Sequence, residues 1–206
     1  MRSLLISLLA AATLATGCGK AGADKTPAIA SATYTVMDDS ASQLRDDFNR
    51  ARGSVRLLFV VDPVCPTCLR GLADLNDAVL SGTPDKHLQT FVVHEPVIGG
   101  TTSNIPLAAG LLQNPNVHHY WSASGAFGNR LAKAVGLKRG DAFVYAWDVW
   151  LIYGPEDVWD DAGPPRPRSL MHQLPPIPGF AYLDSKLFAR EARELLAQLP
   201  ATSPAP

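Results

Sequence analysis

The chain has 206 residues, 47% of them apolar and 18% charged, with a formal charge of −1 and three cysteines. So even a balance provides no basic patch for nucleic acid and no polybasic segment for a membrane surface. There is no internal repeat, and an odd number of cysteines needs an account of its own.

Residues 1–17 read as a signal peptide. Arg2 supplies the positive start, and residues 4–14 form an apolar stretch interrupted only by Ser7 and Thr13. The stretch falls short of the about 20 apolar residues a membrane span needs. Leu14-Ala15-Thr16-Gly17-Cys18 resembles a bacterial lipobox, in which the Cys carries lipid and becomes the first residue of the mature protein. Ala15 stands where that pattern usually has Leu. The alternative is a secreted chain cut near Ala15 or Gly17. With Arg2 removed, 17 basic and 19 acidic side chains remain. Lipidation of Cys18 would leave Cys65 and Cys68 as one pair, in an oxidising compartment that lets a disulfide persist. Residues 18–33 then form a lipidated N-terminus and a flexible tether rich in Ala, Gly and Thr. Residues 34–199 form one domain, and residues 200–206 a disordered tail.

Tyr34-Thr35-Val36 is a candidate first strand. Ser40-Ala41-Ser42-Gln43 has a capping-box pattern, with Leu44, Phe48 and Ala51 at helical spacing and Gly53 as the stop. Residues 55–61, apolar apart from Arg56, read as a strand buried on both faces. Cys65-Pro66-Thr67-Cys68 follows. Pro66 suits the first turn of a helix, and Leu69, Leu72, Leu75 and Val79 line one face of that helix. Ser81-Gly82-Thr83-Pro84 stops it. Residues 88–93 are a second clear strand. Asn104 caps a short helix begun by Ile105-Pro106. His118-His119-Tyr120-Trp121 reads as the entry to the next helix. That helix is capped by Ser122 or Ser124, carries Phe127, Leu131 and Val135, and ends at Gly136. Residues 143–153 form an aromatic, β-branched strand. Gly154-Pro155-Glu156-Asp157 turns the chain, residues 162–167 are a Pro-rich loop, and residues 169–174 are a short last strand. Asp184 caps a closing helix with Leu187, Phe188, Ala192, Leu195, Leu196 and Leu199 on one side, stopped by Pro200.

Two thiols on the first turn of a helix can close into a small disulfide and reopen. Helix N-termini carry free N–H groups and about half a positive charge, which favours a thiolate there. Cys65 at the cap is therefore expected to be the more exposed thiol and the attacking nucleophile, and Cys68, one turn in, the covered resolving thiol. Pro66 and Thr67 lie between the sulfurs and tune the pair. A static disulfide pinning the helix start is the bland alternative, but a loop this small restricts the unfolded chain little.

A strand, a Cys-x-x-Cys opening a helix, then strand, helix, two strands and a closing helix resembles the thioredoxin fold. With the export signal, the chain resembles the bacterial periplasmic thiol–disulfide oxidoreductases, a group with lipid-anchored members. The likeness spans residues 34–199 in element order and residues 55–79 in motif. It implies an α/β, three-layer fold, with a mixed central sheet and helices on both faces. It also implies exchange with protein thiols and disulfides and with a redox partner, no separate cofactor, and a periplasm-facing, lipid-anchored place in the envelope, the outer membrane by default. The family opens the strand facing the disulfide with a cis-proline. No proline precedes the matching segment Ala146-Trp147-Asp148-Val149-Trp150-Leu151, so Ala146 and Trp147 are expected to shape that face.

Without that proline, a metal ion has freer access to both sulfurs, and Cys65 with Cys68 would suit a soft ion. His94, His118, His119 and His172, with Met171 beside the last, are the candidate further ligands. Asp62 is either a water-linked proton acceptor for Cys68 or a turn residue before Pro63. Asp148 either faces solvent from an edge strand or points inward, where burial would raise its pKa and make it an acid–base group.

Overall fold

The computed structural model describes residues 33–83, 85–112 and 114–200. The signal peptide, Cys18, all of the tether but its last residue, and tail residues 201–206 lie outside the described residues. In chain order the elements are β1 (Thr35–Val36), α1 (Ser42–Arg50), β2 (Val55–Val61), α2 (Pro66–Leu75), β3 (Leu88–His94), α3 (Ile105–Ala109), β4 (Val117–Trp121), α4 (Ala126–Val135), β5 (Lys138–Arg139), β6 (Ala142–Phe143), β7 (Val149–Tyr153), β8 (Ser169–His172), β9 (Ala181–Tyr182) and α5 (Ser185–Ala197). Among the described residues no helix is long and apolar enough to cross a membrane.

Seven strands form one sheet in the order β1-β4-β3-β2-β7-β8-β9. β2, β3 and β4 run parallel, whereas β7 is antiparallel to both β2 and β8. β2 lies near the centre and is buried at every position, as its unbroken apolar run requires. Its side chains alternate between two cores. Leu58 and Val60 join Leu44 and Phe48 of α1 and Phe127 and Leu131 of α4 on one face. Leu57, Phe59 and Val61 join Cys68, Leu72 and Leu75 of α2 and Phe188 and Ala192 of α5 on the other. A β2–α2–β3 parallel unit, an antiparallel β7–β8 pair on its far side and a closing α5 packed beside α2 make the fold thioredoxin-like, with helices on both faces of a mixed sheet.

Four local expectations are revised. First, α1 is capped differently. Ala41 occupies the cap in left-handed geometry, and the Asp38 carboxylate does the bonding, accepting from the Ser40 hydroxyl at 2.6 Å and the Ser42 hydroxyl at 2.8 Å. Second, residues 118–121 belong to a strand, not a helix entry. β4 pairs with β3, stacking His118 on Phe91 and His119 on His94, and such cross-strand ring contacts outweigh local preference. Third, residues 143–153 are not one strand. Residues 138–143 make a small hairpin, and β7 begins only at Val149. The break ends at Asp148, whose φ of 50° leaves the extended region. Asp is among the few non-glycine residues that enter that conformation readily. Fourth, an added strand, β9, lies along the edge of β8.

One close approach sets the position of α2. A side chain at Gly71 would overlap the Gln173 amide and the indole of Trp150. Gly71 thus lets the Cys-bearing helix press against β7 and the residue that follows β8.

Candidate functional site

The buried β2 delivers the chain to a turn. There the Cys65 N–H donates to the Asp62 carbonyl at 3.0 Å. Cys65 is the cap residue of α2, with extended backbone angles and Pro66 next, as the sequence implied. Its sulfur accepts the Cys68 N–H at 3.3 Å, one of the donors a helix start leaves free. Both cysteines are free thiols. Both are also buried, at 2% exposure for Cys65 and 0% for Cys68. This corrects the expectation of an exposed Cys65, although Pro66 and Thr67 between the sulfurs are exposed.

Asp148 faces the pair from the start of β7. Among the described residues there is no cis peptide bond. The position before β7 therefore holds a buried carboxylate, 2% exposed, in left-handed geometry. Of the two readings of Asp148, the structure takes the inward one. Its Oδ2 accepts the Thr67 hydroxyl at 2.8 Å. The Cys65 sulfur lies 3.0 Å from the same hydroxyl oxygen. A hydroxyl has one proton to give. With that proton on Asp148, the Thr67 oxygen accepts the Cys65 S–H, so Thr67 links Cys65 to the carboxylate. The Cys68 sulfur faces the same carboxylate. One ligand-type atom from each of Cys65, Cys68 and Asp148 lies within 4.8 Å of the others. Gln173, with its amide nitrogen turned inward, donates to Asp148 Oδ1 at 3.0 Å and to the Thr67 carbonyl at 3.2 Å. Its backbone N–H holds the Asp148 carbonyl at 3.0 Å.

The electrostatics follow from burial. Desolvation pushes the Asp148 carboxyl above its usual range, and hydrogen bonds from Thr67 and Cys68 pull it back in part. Desolvation pushes the Cys68 thiol up more strongly, and the neighbouring Asp148 charge adds to the rise. Cys68 therefore keeps its proton until something accepts it, and the Asp148 carboxylate stands within 4.8 Å of its sulfur.

Asp62 is buried in the turn before Cys65. Its Oδ1 accepts Val64 N–H at 3.0 Å, and its Oδ2 accepts Ile98 N–H at 2.7 Å and Gly100 N–H at 3.3 Å. It thereby fixes the loop beside the pair. Ala146 is buried, with its N–H on the Gly128 carbonyl, and half-buried Trp147 packs against both cores. The carboxylate that faces the sulfurs is that of Asp148.

The histidines do not converge on the cysteines. Among the described residues the only metal-type cluster of three is Cys65, Cys68 and Asp148. His94 Nε2 meets His119 Nδ1 at 3.1 Å in a stacked pair. Burial, with the other ring adding to it, holds His94 down at about 3, and burial with His118 nearby holds His119 down at about 4. His118 bonds to Gln89 on the other face, and His172 Nδ1 accepts the Leu174 N–H at 3.1 Å. Met171 lies buried in the α2–α5 core, which also contains both cysteines.

No protein-family model matches the chain, and no curated protein matches it. Solved structures with a similar chain path do exist. A secreted Mycobacterium tuberculosis disulfide oxidoreductase homologous to E. coli DsbE is 12% identical, over 71% of this chain and 85% of that one, with a TM-score of 0.45. A thioredoxin-family thiol:disulfide interchange protein from Chlorobium tepidum is 10% identical, over 71% and 83%, with a TM-score of 0.42. The exposed lipoprotein thioredoxin Etrx1 of Streptococcus pneumoniae is 14% identical, over 71% and 88%, with a TM-score of 0.40.

Proposed function

We propose that this protein exchanges dithiol for disulfide with other proteins, with Cys65 as nucleophile and Cys68 as resolving thiol. One observation carries the reading: two free thiols stand at a helix N-terminus with the Asp148 carboxylate beside both, within 4.8 Å of the Cys68 sulfur and linked to Cys65 through the Thr67 hydroxyl. In the reducing direction the Cys65 thiolate attacks one sulfur of a partner disulfide. The partner S–S bond breaks, and its other sulfur leaves with the electron pair. Cys68 then gives its proton to Asp148 and attacks the Cys65 sulfur, releasing the partner's second thiol and closing Cys65–Cys68. The oxidising direction is the reverse. Thr67, Gln173 and Asp62 are positioning residues in this scheme.

The test uses the reduced domain and glutathione disulfide. The expected result is stoichiometric closure of Cys65–Cys68, read as a loss of two alkylatable thiols, with a Cys65→Ser variant unreactive. Equal rates for wild type and Cys65→Ser would sink the proposal. The equilibrium position against glutathione gives the direction, with about −270 mV marking a reductant and about −120 mV an oxidant.

The place of action proposed is the bacterial envelope, facing the periplasm, with lipid on Cys18. It rests on the apolar stretch of residues 4–14 and the lipobox-like Leu14-Ala15-Thr16-Gly17-Cys18. Cys18→Ser is expected to move the protein from the membrane fraction to the soluble fraction without changing its circular dichroism. A variant that remains with the membrane would remove the anchor from the account.

A further inference from the structure

We propose that the reduced Cys65–Cys68 pair, together with Asp148, holds one zinc-class divalent cation. The inference is independent of whether the pair exchanges disulfides. It starts from the three donor atoms, two sulfurs and one carboxylate oxygen, which lie within 4.8 Å of one another, all on buried residues. A tetrahedral zinc ion has bonds of about 2.3 Å to sulfur and about 2.0–2.2 Å to oxygen, which places ligand atoms about 3.5 Å apart. The three donors reach that spacing by drawing together by about 1 Å, within the reach of side-chain rotation. Two cysteines separated by two residues are also a common zinc half-site.

The surroundings are built as a ligand set requires. Metal-binding carboxylates are themselves held by hydrogen bonds. Both Asp148 oxygens are held, Oδ2 by the Thr67 hydroxyl at 2.8 Å and Oδ1 by the Gln173 amide at 3.0 Å. The Cys65 sulfur receives the Cys68 N–H at 3.3 Å, a bond that stabilises negative charge on sulfur. The backbone of Asp148 is left-handed and pinned by the Gln173 N–H, so the carboxylate is aimed before any ion arrives.

The donor set selects among metals. Two thiolates with one hard carboxylate suit a borderline ion such as Zn(II) better than Cu(I), which favours soft ligands throughout. The histidines do not complete the set, because His94 and His119 pair with each other and His172 Nδ1 is bonded to Leu174. Three protein ligands leave one coordination position free, the count found where zinc keeps a water or a substrate. An ion in this place occupies both sulfurs at once and so protects the dithiol from oxidation while it stays.

Cobalt(II) is the probe, added to the reduced whole protein with oxygen excluded. The expected result is one Co(II) per chain, with a thiolate-to-cobalt charge-transfer band and tetrahedral d–d bands, displaced by one equivalent of Zn(II). Affinity is then read by competition with a chromophoric chelator. Asp148→Asn is expected to weaken zinc binding by more than the roughly 10–100-fold typical of losing an outer-shell contact, and Thr67→Val, which keeps all three ligands, by an amount within that range. Absence of a charge-transfer band at one equivalent overturns the proposal, as does an Asp148→Asn variant that holds zinc as tightly as wild type. Should Asp148→Asn fail to fold, the wild-type cobalt spectrum still decides. Exchange measured in the presence of chelator tests the redox function separately.

Discussion

Cys68→Ala is expected to convert a transient species into the main one: Cys65 held in mixed disulfides with partner proteins. The cap sulfur keeps its place at the N-terminus of α2, so the first attack proceeds. The second attack has lost its thiol, and no other cysteine of the described domain can replace it. Non-reducing gels of cells expressing the variant should show high-mass adducts that vanish on addition of dithiothreitol and are absent from Cys65→Ala,Cys68→Ala. The substitution leaves a sulfur-sized gap in the α2–α5 core, at a cost of about 1–2 kcal/mol, which a two-core domain tolerates. If Cys65 in the variant is reactive toward an alkylating agent yet no adduct forms, Cys65 is not the attacking residue of an exchange protein.

Asp148→Asn is expected to slow the resolving step by about 100-fold or more at neutral pH, the range a positioned acid–base group contributes. Asn is nearly isosteric, tolerates the left-handed backbone and still accepts the Thr67 hydroxyl, so the change removes the proton acceptor and little else. In wild type, Cys68 loses its proton to the carboxylate that stands within 4.8 Å of its sulfur. In the variant its thiol, pushed up by burial, must ionise into solvent. The variant should therefore recover speed only toward alkaline pH, while wild type stays fast at neutral pH. Stopped-flow measurement of ring closure from a preformed Cys65 mixed disulfide gives both rate and pH profile. Matching profiles would remove Asp148 from the chemistry. Stability should move the other way. Burial raises the Asp148 pKa above its unfolded value, so the folded protein keeps a proton that the unfolded chain releases. The stability tied to that proton is whole below the unfolded carboxylate pKa of about 3.9 and is lost as pH rises through the folded value. Asn carries no such loss, and the variant should be the more stable form at alkaline pH.

These effects depend on residues the sequence revealed unevenly. The unbroken run of residues 55–61, the Cys-x-x-Cys and Pro66 at the first helical turn are local signals, and each element formed where its pattern stood. The closing helix capped by Asp184 was equally legible, with the cap bonding Lys186 and Leu187 N–H groups at 3.0 Å. β4 was not legible, because its stability comes from the stacking of His118 on Phe91 and His119 on His94, partners more than 20 residues away. The break before β7 was hidden for a related reason. Residues 143–153 have strand-forming side chains nearly throughout, and the left-handed turn at Asp148 is held by Gln173, 25 residues further along. A lone acid in an aromatic run was the available signal. It left open whether Asp148 faced in or out, and only contacts from α2 and from the residue after β8 decided it.

The packing at Gly71 has a consequence for reactivity. The reach between the Cys68 sulfur and the Asp148 carboxylate is a clearance between two layers, and the hydrogen atom at Gly71 is the spacer that sets it. A single methyl group there, one helical turn from Cys68 and touching neither sulfur, works as a shim. It lifts α2 off Trp150 and Gln173 and stretches the proton path. Gly71→Ala should cost about 1–3 kcal/mol by urea unfolding. In the molecules that remain folded, the resolving step should take on the slow, alkaline-shifted profile of Asp148→Asn with every reacting group still present. A variant that loses stability but keeps the wild-type pH profile would show that the layers have slack to spare.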